Sequence, residues 1–255
     1  MYRLSEVEVI RDERTILSIP NLTISSDQFT VILGHNGSGK STLVNLLSNQ
    51  FSAEKGQVTL NDKRVAEFSS KQLAQQVAYL PQKLPEVAGL TVRELVRLGR
   101  YPWRGVFGRW NQQDAQIINK AMMMTGVESY AESLADQLSG GERQRAWVSM
   151  LLAQQSDILI LDEPTSALDI QHQYQLMALL KDLNEQTGKG IIVIIHDLNL
   201  ALKYASRVIA LKGGKVFFEG ETENLHNESL LSELYSTPVK LINHPTQDCK
   251  VAVVC

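Results

Sequence analysis

Cysteine is almost missing from this chain of 255 residues: the two present, Cys249 and Cys255, both stand near its end. A disulfide framework is therefore not expected, and a reducing compartment fits. Long apolar runs are missing too. None approaches the roughly 18 residues that a membrane-spanning helix needs. The opening Met1-Tyr2-Arg3-Leu4-Ser5-Glu6 carries charge where a signal peptide requires an apolar core, so no export signal is expected. There is no basic excess: Lys+Arg number 25 against Asp+Glu 28, a net charge of -3, which speaks against nucleic acid as the main partner. Internal repeats and low-complexity segments are absent, which excludes solenoid arrays. What remains is an ordinary globular composition, 44% hydrophobic and 21% charged. The length suits one large α/β domain or one domain with a substantial insertion.

The chain is organised around Gly34-His35-Asn36-Gly37-Ser38-Gly39-Lys40-Ser41-Thr42, which fits the phosphate-binding pattern G-x-x-x-x-G-K-[ST] at every fixed position. Phe29-Thr30-Val31-Ile32-Leu33 before it reads as a buried strand, and Thr42 to Leu47 after it as the first turns of a helix. That strand-loop-helix context separates the motif from a chance glycine turn. Glycines let the loop aim its N–H groups at a phosphate, and the helix N-terminus adds positive potential. Lys40 is placed to reach the β- and γ-phosphates, and the Ser41 hydroxyl to coordinate Mg2+.

Either side of this loop, the pattern predicts an α/β core. Residues 3–10 and Thr15–Ile19 read as strands, with turns at Pro20-Asn21 and Ser25-Ser26-Asp27, and so as a small antiparallel sheet at the N-terminus. Gly56–Asp62 reads as strand and turn, Ser69 or Ser70 as the cap of a helix through Gln76, and Val77–Leu80 as a buried strand. From Lys83 to about Gln155 only helices are expected. Thr91-Val92-Arg93-Glu94 is a capping box. Asn111 or Asp114 starts a helix whose buried face is Ile117, Ile118, Ala121, Met122 and Met124, stopped by Gly126. The aromatic and arginine-rich stretch Tyr101–Trp110 between these helices is either a structured connector or a docking surface. Buried strands return at Asp157–Leu161 and Ile191–Ile195, helices over about 170–186 and from Asn199 to about Ala205, and a hairpin over Arg207–Gly220 around Gly213-Gly214. One or two helices and a surface tail follow, in which His226, His244, Cys249 and Cys255 lack metal-ligand spacing.

A second set of candidates stands at strand ends, where ligands bind in open α/β sheets. Asp162 and Glu163 follow the strand 158–161. Asp162 suits Mg2+, through its water shell, and Glu163 suits a general base for water attacking the γ-phosphate. The plain alternative is a strand-end turn before Pro164. Gln82 offers an amide to Mg2+ or to that water, and His196 offers a hydrogen bond to the γ-phosphate or the water. Each alone reads as an ordinary structural residue; together they can converge. Leu138-Ser139-Gly140-Gly141-Glu142-Arg143-Gln144-Arg145 reads as a capped helix start that doubles as an anion site.

Taken together, GHNGSGKST, the glutamine of YLPQ, LSGGERQR, ILILDEP, SALD and the histidine of IIHD occur in the order found in ATP-binding cassette ATPases, and the chain resembles that family over nearly its whole length. The resemblance implies a P-loop NTPase core with an N-terminal antiparallel β subdomain and an inserted α-helical subdomain. Its parts would be 1–82 with 156–220 as the core, 83–155 as the helical insertion with the signature motif, and 221–255 as C-terminal helices and tail. It implies ATP and Mg2+ as ligands, Gln82 as the residue coupling the site to a membrane partner, and His196 as the switch histidine. Ser139, Gly140 and Gly141 would contact the γ-phosphate bound to an opposite subunit, and Ser166 and Asp169 would cross between subunits. One copy of each motif then implies a homodimer with two shared sites.

More finely, residues 79–110 and 138–154 resemble the ATPase of ferric hydroxamate siderophore importers, and less closely those for other siderophores, haem or vitamin B12. That implies transmembrane permease subunits docking near Gln82 and the helical insertion, which favours the docking reading of Tyr101–Trp110. It also implies a periplasmic siderophore-binding protein as an indirect partner, and a peripheral place on the cytoplasmic face of a bacterial inner membrane. The departure is at the adenine. Many family members stack the base on an aromatic in the early hairpin, whereas here Ile10-Arg11-Asp12-Glu13-Arg14 has none. Arg11 could stack through its guanidinium plane, or Ile10 could cover the base. Two other classes compete: a soluble cassette protein of translation or DNA repair, and a regulatory module that binds nucleotide without hydrolysis. The single cassette with a compact insertion opposes the first. Intact Lys40, Asp162, Glu163 and His196 oppose the second.

Overall fold

The computed structural model describes residues 1–104, 110–246 and 250–255. The chain runs β1 (Tyr2–Arg11), β2 (Arg14–Ile24), β3 (Phe29–Leu33), α1 (Lys40–Leu47), β4 (Lys55–Leu60), β5 (Lys63–Arg64), α2 (Ser70–Gln76) and β6 (Val77–Leu80). It continues through α3 (Val92–Leu98), α4 (Tyr101–Arg104), α5 (Gln112–Met124), α6 (Gly140–Gln154), β7 (Ile158–Asp162) and α7 (Ile170–Thr187). The last elements are β8 (Gly190–Ile194), α8 (Leu198–Tyr204), β9 (Arg207–Lys212), β10 (Lys215–Glu221), α9 (Glu228–Tyr235), β11 (Val239–Asn243) and β12 (Lys250–Val254).

The central sheet has the order β10-β9-β3-β8-β7-β6, with β9, β3, β8, β7 and β6 parallel and β10 returning antiparallel. Strands β3, β7 and β8 are buried at every position. Unbroken Phe/Val/Ile/Leu runs suit this, since helices or a second sheet cover both faces. Register then fixes the site. Leu80 pairs with Leu161 and Asp162 with Ile194, so Gln82, Glu163 and His196 leave the sheet at one end.

The second sheet, β2-β1-β4-β5, is antiparallel and packs its apolar face on the other side. Here the expected turn at Pro20-Asn21 is corrected: β2 continues to Ile24. Two facts let it do so. β2 is an edge strand, where the missing proline N–H breaks no ladder. The register is the same at Ser5↔Asn21 and Val7↔Ile19, with no pair between them, so Pro20 faces Glu6, whose φ is 51. The C-terminal tail is corrected too. After α9 it forms the hairpin β11–β12 instead of a featureless surface segment. Cys255 at its end is exposed, while Cys249 lies outside the described residues.

Among the described residues between Lys83 and Gln155 no strand forms, the capping box at Thr91 is made, and of the two candidate starts Asn111 is the cap of α5, in a box with Asp114. Helix α5 buries Ile118, Ala121 and Met122, with Ile117 and Met124 packed beside them, and ends before Gly126. Of the stretch Tyr101–Trp110, residues 105–109 lie outside the described residues. Its first part forms α4, and Tyr101, Trp103 and Trp110 are exposed. This part is fastened inward by an ion cluster that pattern reading did not find. Asp114, only 1% exposed, meets Arg100 at 3.1 Å and Arg104 at 2.5 Å. Burial alone would raise the Asp114 carboxyl, but bonds from Arg104, Arg100 and the Asn111 N–H outweigh it and hold it below the usual range. Removing one partner from such a cluster leaves buried charge uncompensated. Asp114→Ala is expected to destabilise the fold by about 3–5 kcal/mol, read as a lower urea midpoint at unchanged slope. A loss under about 1 kcal/mol would show that solvent already screens the cluster.

Candidate functional site

The phosphate-loop residues close around the start of α1. Gly39 caps that helix in a left-handed conformation, φ 99, and a Cβ there would stand 2.9 Å from Leu17. At Gly34 (φ 148) a Cβ would stand 2.4 Å from the Leu211 oxygen. Both positions thus require glycine, on strain and on space. Lys40 is 4% exposed, and its Nζ donates to the Gly34 oxygen at 2.8 Å and the His35 oxygen at 3.0 Å. Burial lowers its pKa, while Glu163 and Asp162 pull the other way. Asn36 and Gly37 are exposed at the loop's tip, and the Ser38 hydroxyl is buried without a partner. The His35 side chain turns outward, its Nε2 donating to the Leu234 oxygen at 3.0 Å.

Three strand ends meet at one carboxylate. Glu163 accepts from Gln82 Nε2 at 2.5 Å on one oxygen and from His196 Nε2 at 2.7 Å on the other. Its backbone is left-handed, φ 49, an uncommon conformation for a residue with a Cβ and one that recurs at functional turns. Asp162 beside it is 5% exposed and accepts a long 3.4 Å bond from Ser41 Oγ. Its pKa is pushed up to about 6, by burial first and then by the Glu163 charge. The cleft in front, about 380 Å³, is lined by Asn36, Gly37, Gly39, Lys40, Ser41, Thr42, Gln82, Glu163 and His196, with Ile16 from β2.

The donor set suits the ligands that the sequence implies. Ser41, Asp162 and Gln82 supply hydroxyl, carboxylate and amide oxygens, hard donors appropriate to Mg2+. Among the described residues no cluster of three His, Cys, Asp or Glu forms a cage, so such an ion would share its shell with water and phosphate. The lysine-filled loop and the orphaned Ser38 hydroxyl suit a polyphosphate.

Other candidates stand elsewhere. Ser139 caps α6, its hydroxyl donating to Glu142 Oε2 at 2.6 Å. Bonds from Ser139 and Tyr130 hold the Glu142 carboxyl down to about 2. Gly140 borders a different cleft, of about 570 Å³, which also takes Gln82, Glu163 and Ser166. Gly141 lies under the His172 ring, 2.5 Å from where a Cβ would be, and that ring meets Asp169 Oδ1 at 2.8 Å. Ser139, Gly140, Gly141 and Asp169 therefore do not line the phosphate-loop cleft of their own chain. Neither does Arg11: its guanidinium pairs with Glu54 at 2.5 Å and lies over Phe51 at 4.9 Å. Ile10 does not line the cleft either. The residue that reaches it from this sheet is Ile16, which pattern reading passed over because its strand register hides which end meets the loop. Gly214 was legible only as a turn, yet its N–H donates to the Ser38 oxygen at 3.2 Å.

Comparison with known proteins gives the family. The family model for ABC transporters matches residues 17–166. The chain is 40% identical over 235 residues to the ferric enterobactin transport ATP-binding protein FepC of Escherichia coli (strain K12), covering 91% of this chain and 87% of that one. It is 40% identical over 233 residues to the iron(3+)-hydroxamate import ATP-binding protein FhuC of Bacillus subtilis (strain 168), with the same coverage, 91% and 87%. Among solved structures, a dimeric bacterial ABC transporter cassette (MJ0796) superposes at a TM-score of 0.76 and 30% identity, over 87% of this chain and 99% of that one.

The Asp162 shift carries a sign for stability. Unfolded aspartate titrates near 3.9, and the folded group titrates at about 6. Its contribution is thus present below about pH 4 and is lost as pH rises through about 6. Asp162→Asn is expected to stabilise the free protein at pH 7 by about 3 kcal/mol, the gain shrinking toward pH 4. Urea unfolding without Mg2+ or nucleotide reads this out, and equal midpoints at pH 7 would contradict it.

Proposed function

The chain belongs to the ABC transporter family, and from that premise we propose that it is the ATP-hydrolysing subunit of a bacterial importer for iron siderophores or related metal chelates. Family membership brings ATP hydrolysis coupled to transport. The observation that carries the proposal is the Glu163 carboxylate, held between Gln82 and His196 at the mouth of a lysine-filled phosphate loop.

The roles are these. The backbone of 34–42 and Lys40 bind the phosphates, and Ile16 covers the adenine side in place of Arg11 or Ile10. Ser41, Asp162 and Gln82 hold Mg2+, which neutralises charge on the β- and γ-phosphates when bound. Glu163 takes the proton of the attacking water, and His196 orients water and γ-phosphate. Ser139, Gly140, Gly141 and Asp169 act across the interface of a homodimer, completing the partner's site. MJ0796, similar in fold and 30% identical, is itself a dimer. ATP closes this dimer because the γ-phosphate is the contact that ADP lacks. Residues 1–82 with 156–220 form the nucleotide core, 83–155 the helical subdomain, and 221–255 the C-terminal part. Permease subunits dock near Gln82 and the helical subdomain, and a periplasmic siderophore-binding protein delivers cargo to them. No helix among the described residues is long and apolar enough to cross a membrane, so attachment to the cytoplasmic face of the inner membrane goes through the permease.

The cargo is less narrowly drawn than a hydroxamate reading. Similar proteins are named for ferric enterobactin, iron(3+)-hydroxamate, petrobactin and achromobactin, at 37–40% identity. That spread supports a siderophore importer without favouring one chelate. Growth of a deletion strain on a panel of single siderophores assigns the cargo, and unchanged growth on all of them would remove the importer role.

Glu163→Gln is expected to keep ATP binding, lower turnover by about 10²–10⁴-fold and trap an ATP-bound dimer on gel filtration. Monomer alone with persisting phosphate release would overturn the general-base assignment.

A further inference from the structure

The last helix of the chain ends against the phosphate loop. The final carbonyls of a helix have no partner within it, and two of those in α9 are met by donors from the nucleotide side. His35 Nε2 donates to the Leu234 oxygen at 3.0 Å, and Lys212 Nζ donates to the Glu233 oxygen. The His35 ring also stands edge-on to Tyr235, with centroids 5.4 Å apart and planes at 70°, a favourable aromatic geometry. Helix α9 is a firm base for these contacts, since Leu231 and Leu234 are fully buried in the main core. The Tyr235 hydroxyl oxygen is buried and takes no partner, so the ring serves by shape. Burial, and after it the Asp197 carboxylate, push the Tyr235 pKa up to about 12. A second attachment lies on α8, three positions after the switch histidine. Asn199 Nδ2 donates to the Ala252 oxygen at 3.2 Å, and Asn199 Oδ1 accepts from the Ala252 N–H at 2.8 Å.

We propose that the segment from α9 to β12 is a positioning element of the nucleotide site: Leu234 and Tyr235 hold the phosphate loop through His35, and Ala252 holds the helix after His196 through Asn199. This rests on the nucleotide reading of the loop. No nucleotide contact is assigned to the segment itself. A loop already held in shape loses less freedom when it takes up phosphate, so the first attachment acts on nucleotide affinity. The second fixes the approach of His196 to the reacting water and acts on turnover.

The test uses the full chain, with MgADP affinity by calorimetry and phosphate release by steady-state kinetics. His35→Ala and Tyr235→Ala are each expected to weaken MgADP binding and raise KM for ATP about fivefold, the scale of one hydrogen bond, with kcat little changed. His35→Gln, which keeps a side-chain N–H donor, and Tyr235→Phe, which keeps the ring, are expected to restore the parent values. Asn199→Ala is expected to lower kcat about fivefold with MgADP affinity unchanged. If Tyr235→Ala does not fold, the His35 pair decides. Parent-like MgADP affinity in His35→Ala overturns the proposal, as does a fall in kcat alone. If the parent chain neither binds MgADP nor releases phosphate, the nucleotide reading itself has failed, a result distinguishable from failure of the tail's role.

Discussion

Everything at the site depends on one shared carboxylate. Glu163 sits at the end of the sheet's β7, and its two oxygens are claimed by residues following the two neighbouring strands, Gln82 after β6 and His196 after β8. Only a parallel arrangement puts three such ends side by side, and only this register levels them, with Leu80 opposite Leu161 and Asp162 opposite Ile194. A slip of one residue would turn each side chain to the other face. The continuous apolar runs of these strands therefore do more than fill a core. They hold together a carboxylate, an amide and an imidazole that loops alone would not keep within hydrogen-bond distance.

This end of the sheet does not gather every residue that the family resemblance assigns to a nucleotide. The loop 34–42 and the strand ends face one cleft, while Gly141 and Asp169 both contact the His172 ring and, with Ser139, are not part of that cleft's lining. The residues that sequence likeness assigns to one nucleotide are thus divided between two places on one chain. A two-fold pair of chains is the simplest way to bring unlike patches together twice, since an isologous interface matches each patch to its counterpart.

Much of this was legible in the sequence where local chemistry decides. The phosphate loop, the capping box at Thr91, the buried strands and the Gly213-Gly214 hairpin are written in short-range pattern and needed no partner to read. Pro20 shows the limit: proline signals a turn locally, but its place on a sheet edge is a long-range fact. The same holds for Ile16, whose role depends on which end of β2 approaches Gly39, and for Arg11, drawn to Glu54 across 43 positions. The hairpin β11–β12 was missed because its strands are short and largely exposed, so they carry no clear alternation. Asp114 read as one of two helix starts, the cap fell to Asn111, and nothing local showed that two arginines would bury it.

Lys40 gives the resting loop a further property. Its ammonium lies within hydrogen-bond distance of the Gly34 and His35 oxygens, so the inward carbonyls of the loop are already answered by a positive charge. These two bonds brace the loop from within, and an anion bound there would compete with them for the ammonium. A lone, weakly charged group gains little from the exchange. A chain of phosphates that also engaged the N–H groups and Ser41 would gain several contacts at once, so the loop favours a polyvalent anion before any base or cargo is read.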